Sequence, residues 1–236
     1  MISVCMATYN GEKFLREQVD SILAQLTTED ELVVSDDGST DKTIGILESY
    51  NDSRIKIFHN QNNHGVNGNF ENALRHATGD YIFLSDQDDV WLPNKVTTCK
   101  NALATADCII HDCILVDSNL NTINPSFFLY HNSKEGFWRN LYRNSYVGCC
   151  MAFKKHILDT VLPYPNEIPV FQEGWIASIA AWKWNVRFIE DKCILFRRHN
   201  LNESTTGTKS KLSISRKIYN RIKLLYLVLF RIYANK

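Results

Sequence analysis

The sequence predicts an α/β fold with a mostly parallel central sheet flanked by helices, followed by a C-terminal basic amphipathic helical tail. Three observations carry this. Short apolar runs alternate with segments of helical period through the first half of the chain. Each of the first four apolar runs ends in a polar, turn-forming cluster. The apolar fraction, 44% of 236 residues, is enough for a sizeable core.

Residues 2–7 read as a first strand, ending in Thr8-Tyr9-Asn10-Gly11. Residues 12–25 have helical spacing, with Phe14, Val19, Ile22, Leu23 and Leu26 on one stripe. A second strand at residues 31–35 leads to Asp36-Asp37-Gly38-Ser39, and Asp41 is placed to cap a helix over 42–50. The third strand, residues 54–58, precedes Asn62-Asn63-His64-Gly65 and a helix over 69–77. Thr78-Gly79-Asp80 turns the chain into a fourth strand, residues 81–84, which runs into Asp86-Gln87-Asp88-Asp89. In parallel sheets ligands bind at the carboxyl ends of strands, where these four clusters stand. The second half is less regular: a helix over 93–104 with Pro93 in its first turn, strands at 108–116 and 146–153, a helix over 175–184, and a strand or strand pair over 186–197.

Bulk properties narrow the partners. Formal net charge is zero, which gives no reason to expect nucleic acid. The charge is nevertheless uneven: residues 209–236 hold eight Lys/Arg and no acid, leaving 18 bases against 26 acids elsewhere. Seven cysteines without a CxxC pair suggest buried free thiols in a reducing compartment. Cys108 and Cys113 flank His111, but at a spacing that matches no zinc pattern. Met1 leads directly into a strand, so no signal peptide is expected. No run reaches the roughly 18 apolar residues of a membrane span. The expected location is the cytoplasm, with the tail available for peripheral contact at the inner face of the plasma membrane.

The acidic turn is the most informative stretch. Asp86, Asp88 and Asp89 fall within four positions after an apolar strand. Carboxylates so close repel one another, and a hard divalent cation with oxygen ligands relieves the repulsion. A cation held by one or two carboxylates keeps positions free for phosphate oxygens. Alone, an acid-x-acid triplet is as readily a solvated turn or a helix cap. The pair Asp36-Asp37 likewise reads either as a turn or as a carboxylate that accepts from a base N–H or a ribose hydroxyl, with Tyr9 beside it.

Taken together, Ser3-Val4-Cys5-Met6-Ala7-Thr8-Tyr9-Asn10, Leu23-Ala24-Gln25, Val33-Val34-Ser35-Asp36-Asp37-Gly38-Ser39-Thr40-Asp41, Gly79-Asp80-Tyr81-Ile82 and Asp86-Gln87-Asp88-Asp89 resemble family 2 glycosyltransferases with a GT-A, Rossmann-like fold. Ser85-Asp86-Gln87-Asp88-Asp89-Val90-Trp91 is similar to bacterial rhamnosyltransferase-like members, whose donor is typically dTDP-L-rhamnose and which build surface polysaccharides. The resemblance implies a glycosyltransferase domain over 1–208, with a nucleotide-sugar half (1–92) and an acceptor half (93–208), and a tail from 209 to 236. It implies that Asp37 contacts the base beside Tyr9, with Thr8 and Asn69 among the donor contacts. Asp86 would reach the ribose and the metal shell, and Asp88 would hold Mg²⁺ or Mn²⁺ directly.

Downstream, many relatives place an aspartate general base before a tryptophan-bearing helix. Here Gln172-Glu173-Gly174-Trp175 puts Glu173 in that slot, one methylene longer. The alternative is a helix-start acid favoured by the dipole. Arg197-Arg198-His199-Asn200, with Asn202 and Ser204, is similar to the family's arginine-x-histidine segment, which makes His199 a candidate at the metal or diphosphate. Trp138, Trp182 and Trp184 read as core rather than sugar platforms, and His111 and Asp112 are candidate acceptor contacts.

In the tail, Ile214, Ile218, Ile222, Leu225 and Leu229 recur near helical spacing with bases between them. This suits a helix lying in an anionic membrane interface near a lipid-linked acceptor. Packing on its own domain, or on a second subunit in a homodimer, is the alternative. The expected activity is inverting transfer of a sugar from a nucleotide-diphosphate donor to a saccharide or lipid-linked acceptor. A silent sugar-nucleotide-binding module and a sugar nucleotidyltransferase are the rivals. The latter is disfavoured because Thr8-Tyr9-Asn10-Gly11-Glu12 is not a Gly-rich basic loop.

Overall fold

The computed structural model describes residues 1–61, 63–200, 202 and 212–233. The first half builds the parallel part of the sheet. Strands β1 (Ile2–Thr8), β2 (Glu31–Asp36), β3 (Ile55–His59) and β4 (Tyr81–Ser85) lie in the order β3-β2-β1-β4, all parallel. All six residues of β2 are buried, as expected of a strand covered on both faces. Between them run α1 (Leu15–Leu23), α2 (Thr43–Glu48) and α3 (Val66–His76). Leu15, Val19 and Ile22 form the buried stripe of α1.

The second half continues the sheet in mixed orientation. The order β4-β8-β6-β9-β5 is completed by β5 (Val90–Trp91), β6 (Cys108–Val116), β8 (Met151–Lys154) and β9 (Val186–Arg197). Strand β8 runs antiparallel to both neighbours, β6 and β9 are parallel, and β5 returns antiparallel on β9. Helices α4 (Lys95–Leu103) and α8 (Gln172–Lys183) flank this part, and α9 (Ile214–Tyr233) packs on the body through Leu224 and Val228. Four short elements escape the periodicity because they are only three to six residues long: β7 (Thr122–Asn124), α5 (Phe127–His131), α6 (Phe137–Tyr142) and α7 (Leu158–Val161).

Several expectations need correction. The strand expected over 146–153 is only β8, because Gly148–Cys150 form a 3-10 turn. Helix α8 begins three residues earlier than expected, which brings Glu173 into its first turn. Pro93 precedes α4 rather than lying in its first turn. Trp138 is 63% exposed rather than core, although its edge meets Trp182 at 6.0 Å. His111 and Asp112 are buried within β6, where Asp112 accepts from Ser126 Oγ and the Phe128 N–H. They do not face the cleft described below. Ser204 and the 208/209 boundary lie outside the described residues.

Candidate active site

The two carboxylates after β2 divide the labour that the sequence leaves undecided. Alternation along a strand sends consecutive side chains to opposite sides. Asp36 is buried and staples the turn: it accepts from Thr8 Oγ1 at 2.9 Å and from the N–H groups of Gly38 and Ser39 at 3.0 and 2.8 Å. Gly38 sits there at φ +86°, which glycine adopts without strain. Asp37 turns into the cleft. Its Oδ1 meets Asn60 Nδ2 at 2.8 Å and His64 Nδ1 at 2.9 Å, and its Oδ2 accepts the Gly65 N–H at 2.8 Å. Three partners therefore fix its direction before any ligand arrives.

Around Asp37 the first loop is braced. Asn69 donates to the Thr8 carbonyl at 2.9 Å, and its own Oδ1 is buried without a partner among the described residues. The Thr8 hydroxyl is committed to Asp36, so this residue contributes mainly backbone to the cleft wall. Tyr9 is 56% exposed above the cleft. Its N–H and carbonyl are both taken, at 3.0 Å each, by the side-chain amide of Gln87. This two-point clasp ties the loop after β1 to the acidic turn after β4. With the clasp formed, a Cβ on Gly11 would stand 2.3 Å from Gln87 Oε1, so the amide would have to move aside.

In the acidic turn each carboxylate has a different environment. Asp86 is pushed up to about 7 by burial and by the neighbouring Asp88 charge, while Lys95 opposes the shift. Asp88 Oδ2 meets His199 Nε2 at 2.8 Å and Asn202 Nδ2 at 3.0 Å. Asp89 is fully buried and accepts the Arg197 N–H at 2.9 Å, whereas its Oδ2 has no partner among the described residues. Burial and the charges of Asp88 and Asp86 hold its carboxyl well above the usual range. Oxygens of Asp86 and Asp89 and the Cys149 sulfur lie within 4.8 Å of one another.

The segment after β9 closes this side. The buried Arg197 guanidinium donates to the Asp88 carbonyl at 2.8 Å, the Ser118 carbonyl at 2.8 Å and Glu17 Oε2 at 2.5 Å. Phe14 packs against both Arg197 and His199, at 4.4 Å from the guanidinium and 4.8 Å between ring centroids. Lys95 is buried, donates to the Cys149 carbonyl at 2.6 Å and lies over the Trp91 ring.

One cavity of about 570 Å³ joins these groups, lined by Thr8, Tyr9, Asp37, Asn69, Asp86, Asp88, Glu173 and His199 among others. The eight residues expected at the donor, the metal and the base therefore border a single space, whereas the candidate acceptor contacts His111 and Asp112 do not. Glu173 enters from the first turn of α8. Burial, with the Asp86 charge adding to it, pushes its carboxyl up to about 8. Gly148 lies beside it: a Cβ there would stand in ordinary contact, 3.5 Å from Glu173 Oε2. The site residues not anticipated as such are Gln87, Asp89, Lys95 and Arg197. Asp89 and Gln87 stood inside the acidic motif without a role of their own, and Arg197 stood beside His199; a lysine in an amphipathic helix reads as solvent-facing.

Residues 3–162 match the family model described as Glycosyl transferase family 2. The chain belongs to this family. Among relatives of this family 2 glycosyltransferase, a UDP-Glc:alpha-D-GlcNAc-diphosphoundecaprenol beta-1,3-glucosyltransferase, WfgD of Escherichia coli, is 27% identical over 78% of the chain and 71% of its own length. The dTDP-rhamnosyl transferase RfbG of Shigella flexneri is 37% identical over 54% of the chain and 43% of its own. Staphylococcus aureus TarS 1–349 in complex with UDP-GlcNAc superposes with a TM-score of 0.71 at 21% identity, covering 98% of the chain and 66% of TarS 1–349. The fold is thus the GT-A fold. The chain spans just under two thirds of that structure and less than half of RfbG. Membership sets aside the nucleotidyltransferase alternative.

The donor set of this glycosyltransferase suits a divalent cation. Mutually repelling carboxylates, a buried carboxylate oxygen without a partner, and an imidazole beside Asp88 are the ligands that Mg²⁺ or Mn²⁺ accepts.

Proposed function

We propose that this glycosyltransferase transfers a sugar with inversion, from a nucleotide-diphosphate donor to a saccharide or lipid-linked acceptor, in bacterial surface polysaccharide synthesis. The observation that carries the reading is the shared cavity, with oriented Asp37 in one wall, the Asp86–Asp88–His199 group in another, and Glu173 entering from α8. Asp37 would accept from the base, with Tyr9 beside it and Thr8 and Asn69 shaping the wall. Asp86, Asp88 and His199 would hold Mg²⁺ or Mn²⁺, which supplies charge neutralisation at the departing diphosphate. Glu173 would take the proton of an acceptor hydroxyl. The acceptor oxygen forms its bond to the anomeric carbon as the carbon–phosphate oxygen bond breaks on the opposite face, and the bonding pair leaves with the diphosphate.

The names of relatives support two donor classes. dTDP-L-rhamnose is favoured by the Ser85–Trp91 motif and by RfbG, and a UDP-hexose by WfgD. The diphosphoundecaprenol in the name of WfgD supports a lipid-linked acceptor. No helix among the described residues is long and apolar enough to cross a membrane. On the exposed apolar row of α9 the reading adds peripheral membrane contact from the cytoplasmic side, with a homodimer as the alternative.

Thermal shift with UDP-, dTDP- and GDP-sugars, with and without Mn²⁺, tests the donor site. Metal-dependent stabilisation by one nucleotide class is expected, and turnover with an acceptor must follow. No stabilisation by any donor would overturn the assignment of the cavity.

A further inference from the structure

Behind the acidic turn, outside the cavity, lies a second cluster of metal-ligating side chains. Cys99 on α4, His111 on β6 and Cys193 on β9 are each fully buried, and their ligand atoms all lie within 4.8 Å of one another. His111 Nδ1 is held by the Asp112 carbonyl at 2.8 Å. A nitrogen bonded to a carbonyl carries the proton, so the lone pair is on Nε2. That Nε2 is buried and has no partner among the described residues. An imidazole oriented through one nitrogen by a carbonyl, with the other nitrogen open beside two thiols, is the arrangement of a metal-ligating histidine.

We propose that Cys99, His111 and Cys193 bind Zn²⁺ as a structural site. Ligand atoms around a tetrahedral zinc stand roughly 3.5 Å apart, as bonds of about 2.0–2.3 Å require, so small side-chain movements close the cluster onto the ion. Two thiolates and a neutral imidazole cancel the charge of Zn²⁺, with both thiol protons released on binding. The bound site therefore adds no net charge beside the buried ammonium of Lys95, which also acts on Asp86 of the acidic turn. Cys150, whose thiol acts electrostatically on Cys99, is a further sulfur in the neighbourhood, and a water would serve equally as the fourth ligand. The ion would join α4 to both long strands of the acceptor half. On β9 it would sit where the register against β6 shifts, and where the Cys193 carbonyl accepts the Leu92 N–H at 2.9 Å.

The test uses the full chain, purified without a histidine tag from zinc-supplemented culture. Elemental analysis is expected to find about one zinc per chain. Cys99→Ala and Cys193→Ser should lose it, while Asp86→Asn keeps it. Should the cysteine variants fail to fold, wild-type protein refolded with Co²⁺ decides: thiolate-to-cobalt charge-transfer absorption is expected. Wild-type protein without zinc and without that absorption would overturn the site. So would zinc that persists in both cysteine variants or disappears in Asp86→Asn, which would move it to the acidic turn.

Discussion

Glu173 concentrates two opposing demands on one carboxyl. To accept a proton it must be ionised, yet burial holds it up to about 8. A carboxyl raised in the folded state contributes stability that is fully present below its unfolded pKa and is lost as pH rises through the folded value. Glu173→Gln, which mimics the protonated acid, should therefore melt at or above wild type, with the difference growing from pH 6 to pH 8.5. The same variant should lose transfer by roughly 10²–10⁴-fold while keeping donor affinity. Collapse of donor binding would remove Glu173 from the role of base. Wild-type turnover should rise with pH through the same window. At Gly11, a methyl group breaks the Gln87 clasp on Tyr9. Gly11→Ala should cost about 1–2 kcal/mol in denaturant melts; an unchanged midpoint would mean that the amide finds equal partners elsewhere. Asp37 and Asp88 were legible in sequence because their neighbours form a pattern. Gln87 was not, since an amide that bonds a distant backbone leaves no periodic or compositional trace.

At the scale of elements, α9 is apolar on two sides: Leu224 and Val228 are buried against the body, and a second apolar row is exposed. Three of its five bases reach toward the body: Arg221 donates to the Tyr142 carbonyl, Lys223 pairs with Glu167, and Arg231 donates to the Thr160, Leu162 and Pro163 carbonyls. Ile214, Ile218, Ile222, Tyr226 and Phe230, each four residues apart, are 49–78% exposed. Trp138 and Tyr142 of α6 are exposed as well. The exposed apolar stripe is what suits α9 to a bilayer surface, since three of its five bases are turned to the body. Ile222→Asp with Tyr226→Asp should release the protein from phosphatidylglycerol vesicles in co-sedimentation while the circular dichroism spectrum stays unchanged. Undiminished binding would rule α9 out as the contact. The tail's periodicity gave the helix away, but not which face docks, because basic side chains that seek backbone carbonyls look the same in sequence as solvated ones. Likewise β1 to β4 were readable from alternation, whereas β7, α5, α6 and α7 are too short to repeat.

Across the whole molecule, the proposed cation site joins what the two halves bring. Asp86 and Asp88 leave β4, and His199 and Asn202 follow β9. Mn²⁺ with a nucleoside diphosphate should therefore raise the melting temperature of the entire chain in one transition. Asp88→Ala should abolish both that shift and transfer, as should a chelator. A variant with near-wild-type, metal-dependent turnover would refute Asp88 as a ligand. The Arg197 fork has a further consequence in time rather than space. Its guanidinium grips Glu17 and the Asp88 carbonyl, and the partners of the Asp88 carboxylate are 111 and 114 positions later in the chain. During synthesis the wall around Asp37 can form as soon as its own parallel strands have emerged, while the acidic turn waits with its charges unmatched. A nascent chain thus completes the surroundings of Asp37 long before those of Asp88, whose partners arrive only after β9.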